Sequence, residues 1–159
     1  MANKLEVGFS RVVITPPLGT NIRGYFHQRL AEGVYDDLEV NAIAIKVEDK
    51  TAILLTVDCE DCETEFLNEV RESVYKTTGV NKDAVFIHST HTHVAPNYGL
   101  IDELTNDLDR ECYSYTLKKM VDCAVFAIKD LKPAKMGIAF SKAERIGFNR
   151  RYIGHLLGF

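Results

Sequence analysis

His88-Ser-Thr-His91-Thr-His93 follows directly on the apolar run Ala84-Val85-Phe86-Ile87 and gathers three of the chain's five histidines into six residues. An extended segment that ends in imidazoles offers nitrogen donors to a metal. Side chains in such a segment alternate between faces, so His91 and His93 share one and can reach a single ion or substrate. Zinc suits these donors, and a catalytic zinc takes about three protein ligands plus an open position for water. Two or three histidines therefore leave the shell to be completed from elsewhere. A strand-end loop that merely carries polar, partly exposed histidines is the plainer reading, and the clustering argues against it.

The second chemical segment is Val57-Asp58-Cys59-Glu60-Asp61-Cys62, at the end of another apolar run, where α/β folds place working residues. Asp58 is the candidate within it, because a strand-end carboxylate can orient a metal-bound histidine by accepting its distal N–H. Cys59-x-x-Cys62 has the spacing of a thiol redox pair, but Asp58, Glu60, Asp61 and Glu63 disfavour the thiolate that redox chemistry needs. Asp61 and Thr64 read instead as caps of a following helix. Asp36-Asp37 invite a metal or acid/base role, although adjacent acids before a strand are commonly solvated turn residues. Gly24 permits close backbone approach, which makes Gly24-Tyr25 a candidate substrate contact, and equally an ordinary turn. His27 alone carries little.

These groups have to be held by a framework that the apolar pattern outlines. Leu5 to Ile14 alternates and stops at Thr15-Pro16-Pro17-Leu18-Gly19, a strand and its turn. Asn21 to Tyr35 has no clean period and reads as a long loop of the kind that often carries function. Leu38 to Val47 and Thr51 to Val57 form a hairpin across Glu48-Asp49-Lys50, with the second strand central. Phe66, Leu67, Val70 and Val74 mark a helix over Thr64 to Tyr75 that Gly79 stops. A strand over Asp83 to Ile87, a long helix over Asp109 to Leu131 and a strand over Ala134 to Phe140 complete the order. Arg145 to Arg151 is a short extension or a turn. The result is α/β, a mixed β-sheet covered by helices.

With 159 residues, of which 46% are hydrophobic and 26% charged, the chain has the makings of one globular domain with a real core. A net charge of −4 gives no electrostatic reason to bind nucleic acid or anionic lipid surfaces. Nowhere do about 18 apolar residues run together, so no transmembrane segment is expected. The N-terminus lacks the apolar core of a signal peptide, which makes a cytoplasmic protein with reduced thiols the expectation. Cys112 and Cys123 read as small core residues. The apolar terminus Ile153-Gly154-His155-Leu156-Leu157-Gly158-Phe159 stops in mid-pattern, as a fragment or an early-ended reading frame would.

Several pieces in register carry a family likeness. They are Val7-Gly8-Phe9-Ser10-Arg11 leading to Ile14-Thr15-Pro16, Arg23-Gly24-Tyr25, Gly33-Val34-Tyr35-Asp36-Asp37-Leu38, the strand ending Val57-Asp58, Ser89-Thr90-His91-Thr92-His93-Val94-Ala95-Pro96 and Gly147-Phe148-Asn149-Arg150. In order and rough spacing they resemble the N-terminal catalytic region of the neutral/alkaline, non-lysosomal ceramidase family. The most specific piece is Thr-His-Thr-His followed by a small residue and proline.

The resemblance implies a zinc-dependent amidase that cleaves the N-acyl bond of ceramide. It implies His91 as a zinc ligand, His93 beside the metal and near the substrate, and Asn149-Arg150 in the active site with the arginine able to stabilise charge. It also implies that the remaining ligands, a histidine, a glutamate and a tyrosine, lie further along than these 159 residues, which would then be an incomplete N-terminal part of a larger catalytic domain. The substrate would be a lipid or a smaller N-acyl compound; the oligomeric state is left open. Two alternatives stand beside this one. A different metallohydrolase is disfavoured because Ala95-Pro96 replaces the Asp-His of metallo-β-lactamase-type folds and the chain has too few strand-helix units for a barrel. A non-catalytic fragment or binding module would keep the histidine loop with an incomplete metal shell.

Overall fold

A computed structural model describes residues 4–96, 98 and 104–147. Strand β1 (Leu5–Val13) pairs antiparallel with β4 (Glu39–Val47), which turns through Glu48-Asp49 into β5 (Lys50–Val57). Glu48 takes a left-handed φ of 56°, the backbone form that a tight two-residue hairpin demands. Helix α1 (Thr64–Thr78) crosses over to β6 (Val85–Ser89), which lies parallel to β5. Helix α2 (Asp107–Lys129) leads to β7 (Lys132–Pro133) on the far side of β1. The sheet order is β6-β5-β4-β1-β7, mixed as the apolar pattern predicts.

One face of this sheet makes the core. Val40, Ala42, Ala44, Ile53, Leu55, Val57 and Val85 alternate inward and meet Phe66, Val70 and Val74 of α1 and Met120, Cys123, Ala124 and Ala127 of α2. Close approach of α2 to β1 depends on Gly8: a Cβ there would stand 2.7 Å from the Leu131 nitrogen and 2.8 Å from the Asp130 carbonyl carbon. Backbone cannot yield as a flexible side chain does. Gly8→Ala is expected to destabilise by roughly 2–3 kcal/mol, read as a lower denaturant midpoint with an unchanged slope.

Several boundaries differ from the pattern reading, each for a local reason. Residues 134–140 form no strand, and the pairing falls earlier, at Lys132–Pro133. The strand they would join, β1, begins at Leu5, and Ala134 already bonds the Leu5 carbonyl, so the residues after Ala134 run past the end of β1. The expected loop over Asn21 to Tyr35 contains a short antiparallel pair, β2 (Asn21–Ile22) and β3 (Arg29–Leu30). β6 starts two residues late because Asn81 caps a 3-10 turn over Lys82–Ala84. Helix α1 is capped at Glu63 without a side-chain bond; Asp61 instead accepts from the Cys62 N–H, so neither Asp61 nor Thr64 plays the expected capping part. Helix α2 begins with a reciprocal box between Asn106 and Asp109.

Candidate functional site

The parallel strands β5 and β6 end side by side, and the segments leaving them are laced together. Thr90 N donates to the Val57 carbonyl at 3.0 Å and Thr92 N to the Cys59 carbonyl at 3.2 Å. Between these two anchors His91 is forced to φ 61°, a left-handed conformation uncommon for a residue with a side chain. The third anchor comes from β3, where Arg29 donates to the His93 carbonyl at 2.6 Å and stacks its guanidinium 3.8 Å from the centre of the Tyr25 ring.

Both imidazoles are oriented by main-chain carbonyls. His91 Nδ1 lies 2.8 Å from the Glu60 oxygen and His93 Nδ1 lies 2.8 Å from the Gly24 oxygen. A carbonyl only accepts, so each Nδ1 carries a proton, and in its neutral form each ring has its lone pair at Nε2. Those two Nε2 atoms face one another at 3.3 Å. Two lone pairs so placed repel unless a proton or a cation lies between or beside them. The Glu60 carboxylate stands 3.8 Å from His93 Nε2 and adds negative charge at the same spot.

The separation has a simple reading. A zinc held at about 2.0–2.1 Å by the His91 Nε2 would have the His93 Nε2 as its neighbour, 3.3 Å from the liganding nitrogen. Among the described residues no group of three His, Cys, Asp or Glu side chains is arranged to hold a metal. The chain's described part thus offers one edge of a coordination shell, with main-chain carbonyls fixing its tautomers.

Other candidate residues fall as follows. His88 is not part of the group: its ring bonds Thr56 Oγ1 at 2.9 Å and the Ser89 carbonyl, on the sheet face away from the core. Asp58 does not take the distal N–H of a histidine, which goes to Glu60. Its carboxylate accepts from Glu39 N at 2.9 Å and from Thr90 Oγ1 at 3.0 Å, tying β4 to the start of the histidine loop. Asp58→Ala leaves both donors unpaired and is expected to destabilise by about 2 kcal/mol, visible as a lower melting temperature.

Gly24 and Tyr25 do lie at the site. Gly24 supplies the carbonyl that holds His93, at a φ of 97°, and Tyr25 meets the His93 ring edge-on at 6.0 Å while more than half exposed. Asp37 accepts from Thr15 Oγ1 at 2.7 Å, and Asp36 is solvated. With Thr15, Asp58, Thr92 and Val94 they line a cavity of about 420 Å³ beside the histidine loop. Asn149 and Arg150 lie outside the described residues. The thiols of Cys59 and Cys62 are free and 3.2 Å apart; hydrogen bonding to Cys62 and burial push the Cys59 thiol far up, so it stays neutral. Glu60 and Arg29 were not legible as site residues, since both act largely through main-chain contacts; the acidic run after β5 was the only hint of the first.

Strands β1, β4, β5, β6 and β7 with helices α1 and α2 make a mixed-sheet α/β region that presents His91 and His93 just beyond the end of β6. No protein-family model and no curated protein sequence matches the chain. Among solved structures it superposes on neutral ceramidase from Pseudomonas aeruginosa with a TM-score of 0.73 and 17% identity, over 84% of this chain and 23% of that one. A ceramidase complexed with C2 gives a TM-score of 0.69 and 17% identity, over 82% and 22%. The chain is a neutral ceramidase-like region in fold, and it spans less than a quarter of the length of those proteins.

Proposed function

We propose that this chain contributes the first metal ligand and its neighbouring proton-handling group to a zinc-dependent hydrolase that cleaves an N-acyl amide of ceramide type. The observation that carries the reading is the facing Nε2 pair of His91 and His93, each fixed by a main-chain carbonyl on its other nitrogen. His91 Nε2 would hold the ion. When bound, zinc supplies Lewis-acid polarisation of an amide carbonyl and a more acidic water. His93 Nε2 is placed beside that position to take or give a proton, with Glu60 steadying positive charge on the ring. Asp58 and Arg29 act on the loop and not on substrate. Asn149 and Arg150 are proposed to complete the site, as the family likeness implies.

The matched ceramidases support an N-acyl lipid as substrate class, and the cavity beside Thr92 and Val94 offers apolar surface with a few polar groups, as ligand sites do. No helix among the described residues is long and apolar enough to cross a membrane. The test is hydrolysis of a short-chain ceramide by metal-stripped protein with and without added zinc. Turnover that appears only with zinc supports the reading. Stoichiometric zinc binding with no amide cleavage would favour a binding module in its place.

A further inference from the structure

Cys59 and Cys62 bracket the span to which the histidine loop is tied. Thr92 N donates to the Cys59 carbonyl at 3.2 Å, and the Glu60 carbonyl accepts from His91 Nδ1 at 2.8 Å and from Ser89 Oγ at 3.2 Å. The left-handed backbone of His91 is a conformation that persists only where its surroundings over-determine it. Carbonyls of Cys59 and Glu60 are part of those surroundings. The two sulfurs are 3.2 Å apart, about 1 Å more than the roughly 2.05 Å of a disulfide. Cys59 is fully buried, and its N–H is bonded to the Val57 carbonyl at 3.1 Å, so it is the fixed partner. Cys62 is half-buried and lines a cavity of about 220 Å³ with Asp61, Leu67, Ile87, His88 and Ser89, which gives a small reagent a way to its sulfur.

We infer that Cys59 and Cys62 form a reversible disulfide, a clip that closes the Glu60-Asp61 span and locks the main-chain carbonyls that position His91. The oxidant is a low-molecular-weight disulfide. The Cys62 sulfur attacks one of its sulfurs, forming a mixed disulfide and releasing one small thiolate; the Cys59 sulfur then attacks the Cys62 sulfur and displaces the second. Each departing thiolate takes up the proton that a cysteine gave up. Two electrons thus pass from the protein to the small disulfide, which leaves as two thiols. The acidic residues around the pair keep thiolate scarce and the exchange slow. That argues against a thiol-transfer catalyst but is no obstacle to a clip, which has only to close once.

The clip needs no metal, so it is tested on metal-free chain, and its failure would leave the zinc proposal standing. After incubation with excess glutathione disulfide, the chain is expected to weigh two hydrogen atoms less. Alkylation in denaturant should then label Cys112 and Cys123 and spare Cys59 and Cys62. In the oxidised chain the Thr92 amide should exchange its hydrogen about 10-fold more slowly than in the reduced one, and a reductant should reverse both changes. Cys62→Ser should show neither on the same treatment; should that variant fail to fold, the reduced and oxidised wild type decide the matter alone. A chain that stops at a stable glutathione adduct on Cys62, or that keeps both thiols open to alkylation, overturns the inference. So does a Cys59–Cys62 disulfide that leaves Thr92 exchange unchanged.

Discussion

Replacing His91 with alanine is expected to remove zinc and turnover together. The side chain provides the donor that the fold holds most firmly: its Nδ1 is pinned by Glu60 and its backbone is held at φ 61° by bonds on both sides of the loop. Loss of the ion would forfeit carbonyl polarisation and water activation at once, so kcat/KM should fall by about 10³-fold or more. Zinc content, measured by atomic absorption on the same preparation, should fall in parallel. Because His91 is exposed and makes no core contact, the melting temperature of the metal-free protein should hardly move. That separates a lost ligand from a lost fold.

Gly24→Ala is the second large effect, and it acts through the orientation of His93 and not through the ligand His91. A Cβ at Gly24 would stand 2.5 Å from His93 Cγ and 2.6 Å from His93 Nδ1, and the residue sits at φ 97°, where a side chain is strained in any case. The His93 ring must then swing away from the carbonyl that orients it, or the loop carrying Gly24 must move. Overlap and backbone strain together are expected to destabilise by roughly 2–4 kcal/mol. Turnover should fall by about 10²-fold, the scale for removing a group that orients a metal-site histidine, while zinc bound through His91 is retained. A Gly24→Ala protein with normal turnover would show that His93 orientation is irrelevant.

The sequence made the histidine group visible but not the reason it works. Strand alternation predicts that His91 and His93 point the same way, and their Nε2 atoms do meet. Yet β6 ends at Ser89, so the convergence comes from a left-handed residue and two main-chain anchors, and not from a pleat. His88 illustrates the difference: still within the strand, it obeys alternation and points elsewhere. Asp58 stood out because carboxylates are recognisable by residue type. The histidine's actual partner, the Glu60 carbonyl, belongs to a group that every residue possesses and no motif marks. The mixed sheet was legible from apolar runs, whereas residues 134–140 show the limit: Met136, Ile138 and Phe140 alternate like a strand but lie beyond the last residue of β1 that can pair with them. A periodic pattern states what a segment would bury and is silent about whether a neighbour is present.

Nitrogen-15 NMR of the histidine side chains during a zinc titration tests the central claim most directly. Before zinc, His91 and His93 should both show a protonated Nδ1. On titration the His91 Nε2 resonance should move to a metal-bound position at one equivalent while its Nδ1 proton persists. A His91 ring whose Nε2 is unaffected by zinc, or which binds through Nδ1 after breaking from Glu60, would contradict the account.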